Sequence, residues 1–310
     1  MVREAESVAA WPAGIEVIVR DWLNANHVVL SGPAGNVLVD AGHVSGVSVT
    51  LERVSGTLGS RPLHRLVLTH CHSDHMGGCA AVRRHFGCSV AIPAGEADSV
   101  RAWDGRALWL DYAGQTAERF DFDTVLEPGD PLEMGSHEWE ILAAPGHDMA
   151  ALAFWCPAER ILISGDALWH RSFGVVLPGD GWKDRLAAAR DTLLAFRALR
   201  PSVVIPGHGV PFGDPDEAVE ACLSRIAAFE QDERRVARNV IRVMFVYTLL
   251  ERGTMTVEEV LRMFREVPLF AEYDSAYFGL GAGAHAQTVV DDLARAGTIA
   301  RTPDGGMRVA

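Results

Sequence analysis

The sequence predicts a mixed α/β layered fold that ends in a helical annex, and three observations carry that prediction. Short β-rich runs parted by Gly, Pro and polar segments fill the first two thirds of the chain. Helical stretches are set among them, as alternating layers of strand and helix require. After Gly213 the texture turns to helix, with two short β runs at the far end. The 310 residues are 48% hydrophobic and 22% charged, which suits a globular chain with one large core and a smaller unit.

In chain order, Ile15–Arg20, His27–Ser31 and Val37–Val39 read as strands, separated by the polar and turn-forming segments Asp21–Asn26 and Gly32–Asn36. A helix over Val49–Leu58 precedes a strand at Arg65–Leu68, and a glycine-punctuated helix from Gly77 to Phe86 precedes a strand at Ser89–Ile92. Glu96–Phe122 is aromatic, charged and rich in turn residues, and reads as a lid or insertion rather than core. Strand patterns return at Thr124–Leu126, Glu138–Ala143, Ala151–Trp155 and Ile161–Ser164. Lys183–Leu199 is an amphipathic helix with Arg200-Pro201 at its end, and the strand Val203–Ile205 follows.

Beyond that strand, Asp216–Arg234 and Arg235–Arg252 keep a helical period, and Gly253 is placed as a C-cap. Thr256 with Glu259 three residues later is a capping-box signature that opens a helix to Glu266. A last helix, His285–Ala296, is capped at Gly297 before two β runs around Pro303-Asp304-Gly305-Gly306. Helix, helix, helix, hairpin is the order of a winged helix. It divides the chain into 1–215 and 216–310.

Charge and cysteine content exclude several classes. With 28 Lys+Arg against 41 Asp+Glu the formal charge is −13, contrary to what coating nucleic acid or anionic membranes demands. The five cysteines form no CxxC pair, so neither a disulfide framework nor a thiolate zinc knuckle follows. Acidic residues and Pro12 stand in the opening segment where a signal peptide needs an apolar run, and no stretch approaches the roughly 20 apolar residues of a membrane span. The expected location is therefore the cytoplasm.

The chemistry is concentrated in Thr69-His70-Cys71-His72-Ser73-Asp74-His75-Met76-Gly77-Gly78, between a strand and a helix. Alternate residues just past a strand end point the same way, so His70 and His72 can share one metal ion. Asp74 and His75, further into the helix start, project toward a neighbouring position. Three histidines and a carboxylate within six residues suit zinc and related borderline metals. Three more candidate ligands stand just past strands: His147 in Pro145-Gly146-His147-Asp148, Asp166 in Ser164-Gly165-Asp166, and His208 in Pro206-Gly207-His208-Gly209. Each sits beside or near a glycine that lets the backbone turn tightly, at the strand ends where open α/β folds gather their sites. A lone loop histidine is usually a surface or hydrogen-bonded one, but four ligand-bearing strand ends are hard to obtain by chance.

These residues resemble the metallo-β-lactamase superfamily from about Asp40 to His208. Its HxHxDH motif matches His70, His72, Asp74 and His75; its later His, Asp and His match His147, Asp166 and His208. The resemblance implies an αββα sandwich with two divalent metal ions at one edge, zinc above all, with iron or manganese also accommodated. It places His70, His72 and His147 on one ion, Asp74, His75 and His208 on the other, and Asp166 between them. Asp40 matches an aspartate that orients ligands from behind. The resemblance also gives Asp74 a part in handling the nucleophile's proton. A bridging carboxylate resembles the glyoxalase II, lactonase and ribonuclease Z branches rather than true β-lactamases.

The expected activity is hydrolysis of a small acyl compound (thioester, ester or lactone) by a metal-bridging hydroxide. The alternative within the fold is a phosphodiesterase or endoribonuclease, which a winged-helix-like tail also accompanies. Residues 216–310 hold 11 arginines against 15 acids, so that tail lacks the basic balance of a phosphate-binding wing. A binding protein that has lost catalysis is disfavoured by the complete ligand set. Trp169, His170 and Arg171 follow Asp166 and are candidate pocket residues, as is Tyr112; each has a bland reading as packing or solvated surface. His285 is too isolated to be a ligand, and Gly279–Gly283 is not preceded by the strand a dinucleotide site requires. Exposed helices in the tail leave a homodimer open.

Overall fold

A computed structural model describes residues 11–303 and 305–310; most of the acidic opening segment, and Asp304 of the terminal turn, lie outside the described residues. Six strands, β1 (Ile15–Ile18), β2 (His27–Leu30), β3 (Val37–Val39), β4 (Arg65–Val67), β5 (Ser89–Pro93) and β6 (Thr124–Leu126), pair in that order into one sheet. The first three run antiparallel, and β3 through β6 run parallel. Parallel neighbours need a crossover. The crossovers hold α1 (Val47–Leu58), then α2 (Ser73–Met76) with α3 (Cys79–Phe86), then α4 (Ala97–Ala102).

The second sheet has the order β11-β10-β9-β8-β7. Its strands are β7 (Pro131–Met134), β8 (His137–Ala143), β9 (Leu152–Cys156), β10 (Ile161–Gly165) and β11 (Val203–Pro206). Only β10 and β11 are parallel, joined through α5 (Trp182–Leu199). Strand alternation sorts the nearly continuous apolar runs into layers. Val28, Leu30, Val37, Val39 and Val67 face Trp139, Ile141, Phe154, Ile161 and Ile163 between the sheets. The intervening Val29, Leu38, Leu66 and Val90 face Val54, Leu58 and Val82 of α1 and α3. On the far side Ala153, Trp155, Leu162 and Val204 meet Leu186, Leu193 and Phe196 of α5. The result is the αββα order of layers, with full burial of each large aliphatic side chain contributing roughly 1.5–3 kcal/mol.

One expectation changes. Val100, Leu108, Leu110 and Phe120 are buried in the layer behind the first sheet, so the segment Glu96–Phe122 is part of the core and begins in α4 rather than standing apart as a lid. Its turn residues are real, but its apolar residues are spaced to face inward between them. β7 was hidden by Pro131 and by its place at the sheet edge, the position where a strand tolerates proline.

The C-terminal third comprises α6 (Pro215–Glu230), α7 (Glu233–Arg252), α8 (Val257–Glu266), α9 (Pro268–Tyr273), a π-helical turn Asp274–Phe278, α10 (Ala282–Arg295) and the antiparallel pair β12 (Ile299–Arg301) and β13 (Met307–Val309). Thr256 caps α8 through the capping box its spacing predicts. Val219, Cys222 and Ile226 of α6 share the layer that covers the second sheet, while the annex's own cluster takes over from Ala237 of α7. Among the described residues no helix is long and apolar enough to cross a membrane.

Candidate metal centre

Strand ends from both sheets meet at one edge. β4 ends at Val67, and the next turn carries His70 and His72 into the short α2, which holds Asp74 and His75. The chain past β8 delivers His147, the residue after β10 is Asp166, and two residues past β11 is His208. One ligand atom from each of His70, His72 and His147 lies within 4.8 Å of the others, and the same holds for Asp74, His75, Asp166 and His208. Asp166 joins the two groups: Oδ1 is 3.2 Å from His75 Nε2 and 3.7 Å from His208 Nε2, and Oδ2 is 3.8 Å from His147 Nε2. His208 Nε2 is also 3.1 Å from Asp74 Oδ2, and His72 Nδ1 is 2.9 Å from His147 Nε2. All seven side chains lie together at this edge.

The turns that place them depend on close backbone contact. A Cβ on Gly77 would come within 2.6 Å of the Val44 nitrogen, so only glycine lets the chain after α2 cross the loop after β3. That loop begins at Asp40, whose φ of 58° is unusual for a residue with a side chain. The strained backbone aims its carboxylate behind the cluster. Oδ1 accepts from the Thr69 amide at 2.9 Å; Oδ2 accepts from the Thr69 hydroxyl at 2.9 Å and lies 2.8 Å from His75 Nδ1. A proton on Nδ1 leaves the Nε2 lone pair of His75 facing the cluster. His147 is oriented likewise, with Nδ1 2.6 Å from the Val175 carbonyl.

The donor set fits cations. His70 Nε2 is buried without a hydrogen-bond partner, an arrangement that costs about 1–3 kcal/mol unless something binds there. Burial, followed by the neighbouring imidazoles, holds the His70 pKa well below its ordinary value; burial and His147 bring His72 to about 4. Both are thus neutral imidazoles, the form that binds metals. Burial works to lower the His75 pKa and to raise that of Asp166, but the charges facing each outweigh it. Asp40, Asp166 and Asp74 hold His75 well above its ordinary value, and His208 and His75 hold Asp166 at about 2. Asp74 is likewise held below the usual carboxylate range by His75 and His208 against its burial. Three carboxylates around one imidazole leave a deficit of positive charge that protons or cations must fill.

A cavity opens beside the cluster, walled by Trp109, Gln115, Trp169, Val243, Met244 and Tyr247. Trp169 is the one expected pocket residue found there, and its indole Nε1 donates to Asp166 Oδ1 at 3.1 Å. His170 and Arg171 are turned away. The Trp169 amide donates to the Ser172 carbonyl at 2.7 Å, and that tight turn sets His170 against Phe212 and Arg171 on Glu217 of α6 at 2.9 Å. Tyr112 lies in an adjoining groove under the Arg106 guanidinium, its hydroxyl donating to Glu272 at 3.2 Å.

Sequence reasoning missed Trp22, Gln115 and Tyr247. Tyr247 reaches the cluster from α7, with its hydroxyl 3.4 Å from His208 Nε2, and burial raises its pKa well above the ordinary value. Gln115 spends its amide oxygen on the Ser73 hydroxyl at 3.1 Å and leaves Nε2 buried without a partner. Neither residue is marked by any local motif.

A family model for the metallo-beta-lactamase superfamily matches residues 20–208. A hydroxyacylglutathione hydrolase from Rhodobacter capsulatus is 29% identical over 147 residues, 47% of this chain and 48% of that protein. Another, from Hyphomonas neptunium, is 26% identical over 168 residues, 53% of this chain and 56% of that protein. The chain thus spans about half the length of these relatives. Among solved structures, a metallo-beta-lactamase family protein from Thermus thermophilus aligns with a TM-score of 0.58 and 21% identity over 97% of this chain and 100% of that one. A beta-lactamase domain protein from Burkholderia ambifaria aligns with a TM-score of 0.56 and 20% identity over 98% of both chains. At these identities the likeness shows the fold, and it extends through the C-terminal annex.

Proposed function

The chain belongs to the metallo-β-lactamase superfamily, and from that premise we propose that it is a dinuclear metal-dependent hydrolase of a small acyl compound, a thioester, ester or lactone. His70, His72 and His147 would hold one divalent ion, Asp74, His75 and His208 would hold a second, and Asp166 stands where it would reach both. Zinc suits the mixture of imidazole and carboxylate, which iron and manganese also accept. The observation that carries the reading is the carboxylate of Asp166, which turns one oxygen toward each histidine group. Such a pair of ions, when bound, lowers the pKa of water from 15.7 to about 7 and polarises the oxygen under attack.

The chain's own residues supply the rest. Asp74, held ionised, receives a proton from the nucleophile and passes it toward the leaving group. Asp40 fixes the His75 tautomer from behind. Gln115 Nε2 is a donor without a partner and the Tyr247 hydroxyl shares only the His208 contact at 3.4 Å, so both can turn to the acyl group, while Trp109, Val243 and Met244 exclude bulk water. The division at 215/216 assigns the metal ligands to the first unit. We read α8, α10 and the β12–β13 hairpin as a winged-helix-like unit behind α7, which walls the cavity.

The test is a panel offered to the zinc-loaded protein: an acyl-glutathione, an acyl-homoserine lactone, an N-acetylcysteamine thioester, bis(p-nitrophenyl) phosphate and a short RNA. Turnover of an acyl compound, removed by chelation and by Asp74→Ala or His72→Ala with the fold intact, supports the reading. Hydrolysis confined to the phosphodiesters, or full activity in either variant, overturns it.

A further inference from the structure

The cavity beside the histidines leads into a second, larger groove, and Trp169, Val243 and Tyr247 line both. The groove encloses about 1210 Å³, including the part open to solvent. A substrate whose reacting carbonyl lies at the cluster would extend past these three side chains into it.

The groove is chemically one-sided. Arg225, Arg235, Arg238 and Arg242 line it, and among the described residues no aspartate or glutamate does. Arg235, Arg238 and Arg242 stand at i, i+3 and i+7 on α7, one row about 10 Å long at 1.5 Å per residue. None of the four pairs with a carboxylate among the described residues. Arg225 donates to the Asn239 amide oxygen at 2.6 Å and lies over the Phe229 ring, while Arg235 reaches only the Ala228 carbonyl at 3.5 Å. By contrast, the nearby Arg171, Arg190 and Arg197 pair with Glu217, Glu230 and Glu220. Four unpaired guanidinium groups lining one groove of a chain with formal charge −13 are a marked local reversal of sign. Trp22 also lines the groove: it is half exposed, packs edge to face with Trp169 and stacks one side of its ring on His208, which leaves the rest of the indole open.

We propose that this groove binds the phosphorylated, ring-bearing end of the substrate's leaving group, so that the substrate is an acyl thioester or ester on a carrier with two or more phosphates. The inference rests on the hydrolase reading and narrows it. Guanidinium forks match phosphate oxygens, a row of this length spans two or three phosphates, and an indole face accepts a stacked base. A glutathione carrier also brings two carboxylates that guanidinium groups bind, but its ammonium group would find no carboxylate in the groove and it has no ring to lay on Trp22; the kinetic arm below separates the two carriers. A long nucleic acid would need the basic surface to continue beyond the groove, and residues 216–310 as a whole carry 11 arginines against 15 acids.

The experiment has a binding arm and a kinetic arm. Adenosine 3′,5′-bisphosphate is titrated by calorimetry into the full chain and into the double variant R238Q/R242Q, both of whose positions are solvent-accessible rather than core. Then kcat/KM is compared for acetyl-coenzyme A, its dephospho form, acetyl-glutathione and acetyl-N-acetylcysteamine. The proposal expects binding that weakens at least tenfold in the variant and with added salt. It also expects a coenzyme A thioester to be preferred over the cysteamine thioester by at least tenfold, with that ratio collapsing in the variant through KM. Hydrolysis of the cysteamine thioester with no preference for phosphate overturns the groove while leaving the hydrolase standing. Bisphosphate binding without hydrolysis of any acyl compound overturns the hydrolase reading while leaving the groove. A short RNA that is cleaved, and that displaces the bisphosphate, overturns the small-carrier assignment.

Discussion

Asp40→Asn separates support of the metal centre from support of the fold. The carboxylate accepts from the Thr69 amide with Oδ1, and from the Thr69 hydroxyl and the His75 Nδ1–H with Oδ2. Asparagine has the same shape and tolerates the φ of 58°, so the backbone is retained. Its amide oxygen keeps the bond to the Thr69 amide, and its NH₂ group takes the place of Oδ2. There it donates to His75 Nδ1, forcing the ring proton onto Nε2, the nitrogen that faces Asp166 Oδ1 at 3.2 Å. A protonated Nε2 has no lone pair for a cation. Loss of such an orienting partner costs ~10–100-fold in metal affinity, or about 1.4–2.8 kcal/mol. Asp40→Ala is the contrasting variant: it strips the acceptor from two buried Thr69 donors at about 1–3 kcal/mol each and places alanine in a left-handed backbone. Competition titration of zinc against a chromophoric chelator, paired with thermal melts, reads both effects. Asparagine should weaken zinc binding with little change in melting, and alanine should lower both. An Asp40→Asn protein that binds two zinc ions as tightly as the parent would refute the tautomer argument.

Other positions give independent checks. At Gly207 a methyl group would overlap Asp166 Oδ1 and come within 3.0 Å of His75 Cε1, so Gly207→Ala should fold yet hold fewer than two zinc ions per chain by elemental analysis. Burial, with Asp148 beside it, pushes the Glu96 carboxyl up to about 8, against 4.5 when unperturbed. Below pH 4.5 both folded and unfolded chains hold that proton; between pH 4.5 and 8 the unfolded chain releases it first, and stability falls by up to about 5 kcal/mol. Urea melts of Glu96→Gln should show a shallower decline over that window, and an unchanged pH profile would dismiss the buried acid. Thr256→Ala removes the side chain that accepts from the Glu259 amide, and should cost about 1 kcal/mol in the melting of the annex without altering zinc stoichiometry.

The candidate metal ligands could be read from the sequence because the chemistry restricts them to few residue types and strand ends restrict their places. Asp166 and His208 each stand one or two residues past an apolar run that reads as a buried strand, and His147 follows β8, whose polar–apolar alternation reads as a half-buried one. The walls of the cavity carry no such mark. Met244 and Tyr247 lie on α7 among residues spaced like any core-facing stripe, and only the packing of that helix across the strand ends makes them part of the site. Proximity in sequence misled at His170 and Arg171, where one tight turn after Trp169 sends the chain outward. The edge strand β7 and the succession of α9 and the π-helical turn were likewise hidden, since proline and mixed polarity disguise them as loop.

The central claim is that seven side chains brought together from four strand ends hold two ions across the carboxylate of Asp166. Anomalous diffraction at the zinc edge from crystals grown with zinc tests it most directly. The account predicts two peaks, one among His70, His72 and His147 and one among Asp74, His75 and His208, with Asp166 touching both. No peak at this edge, or zinc bound only at surface histidines, would contradict it.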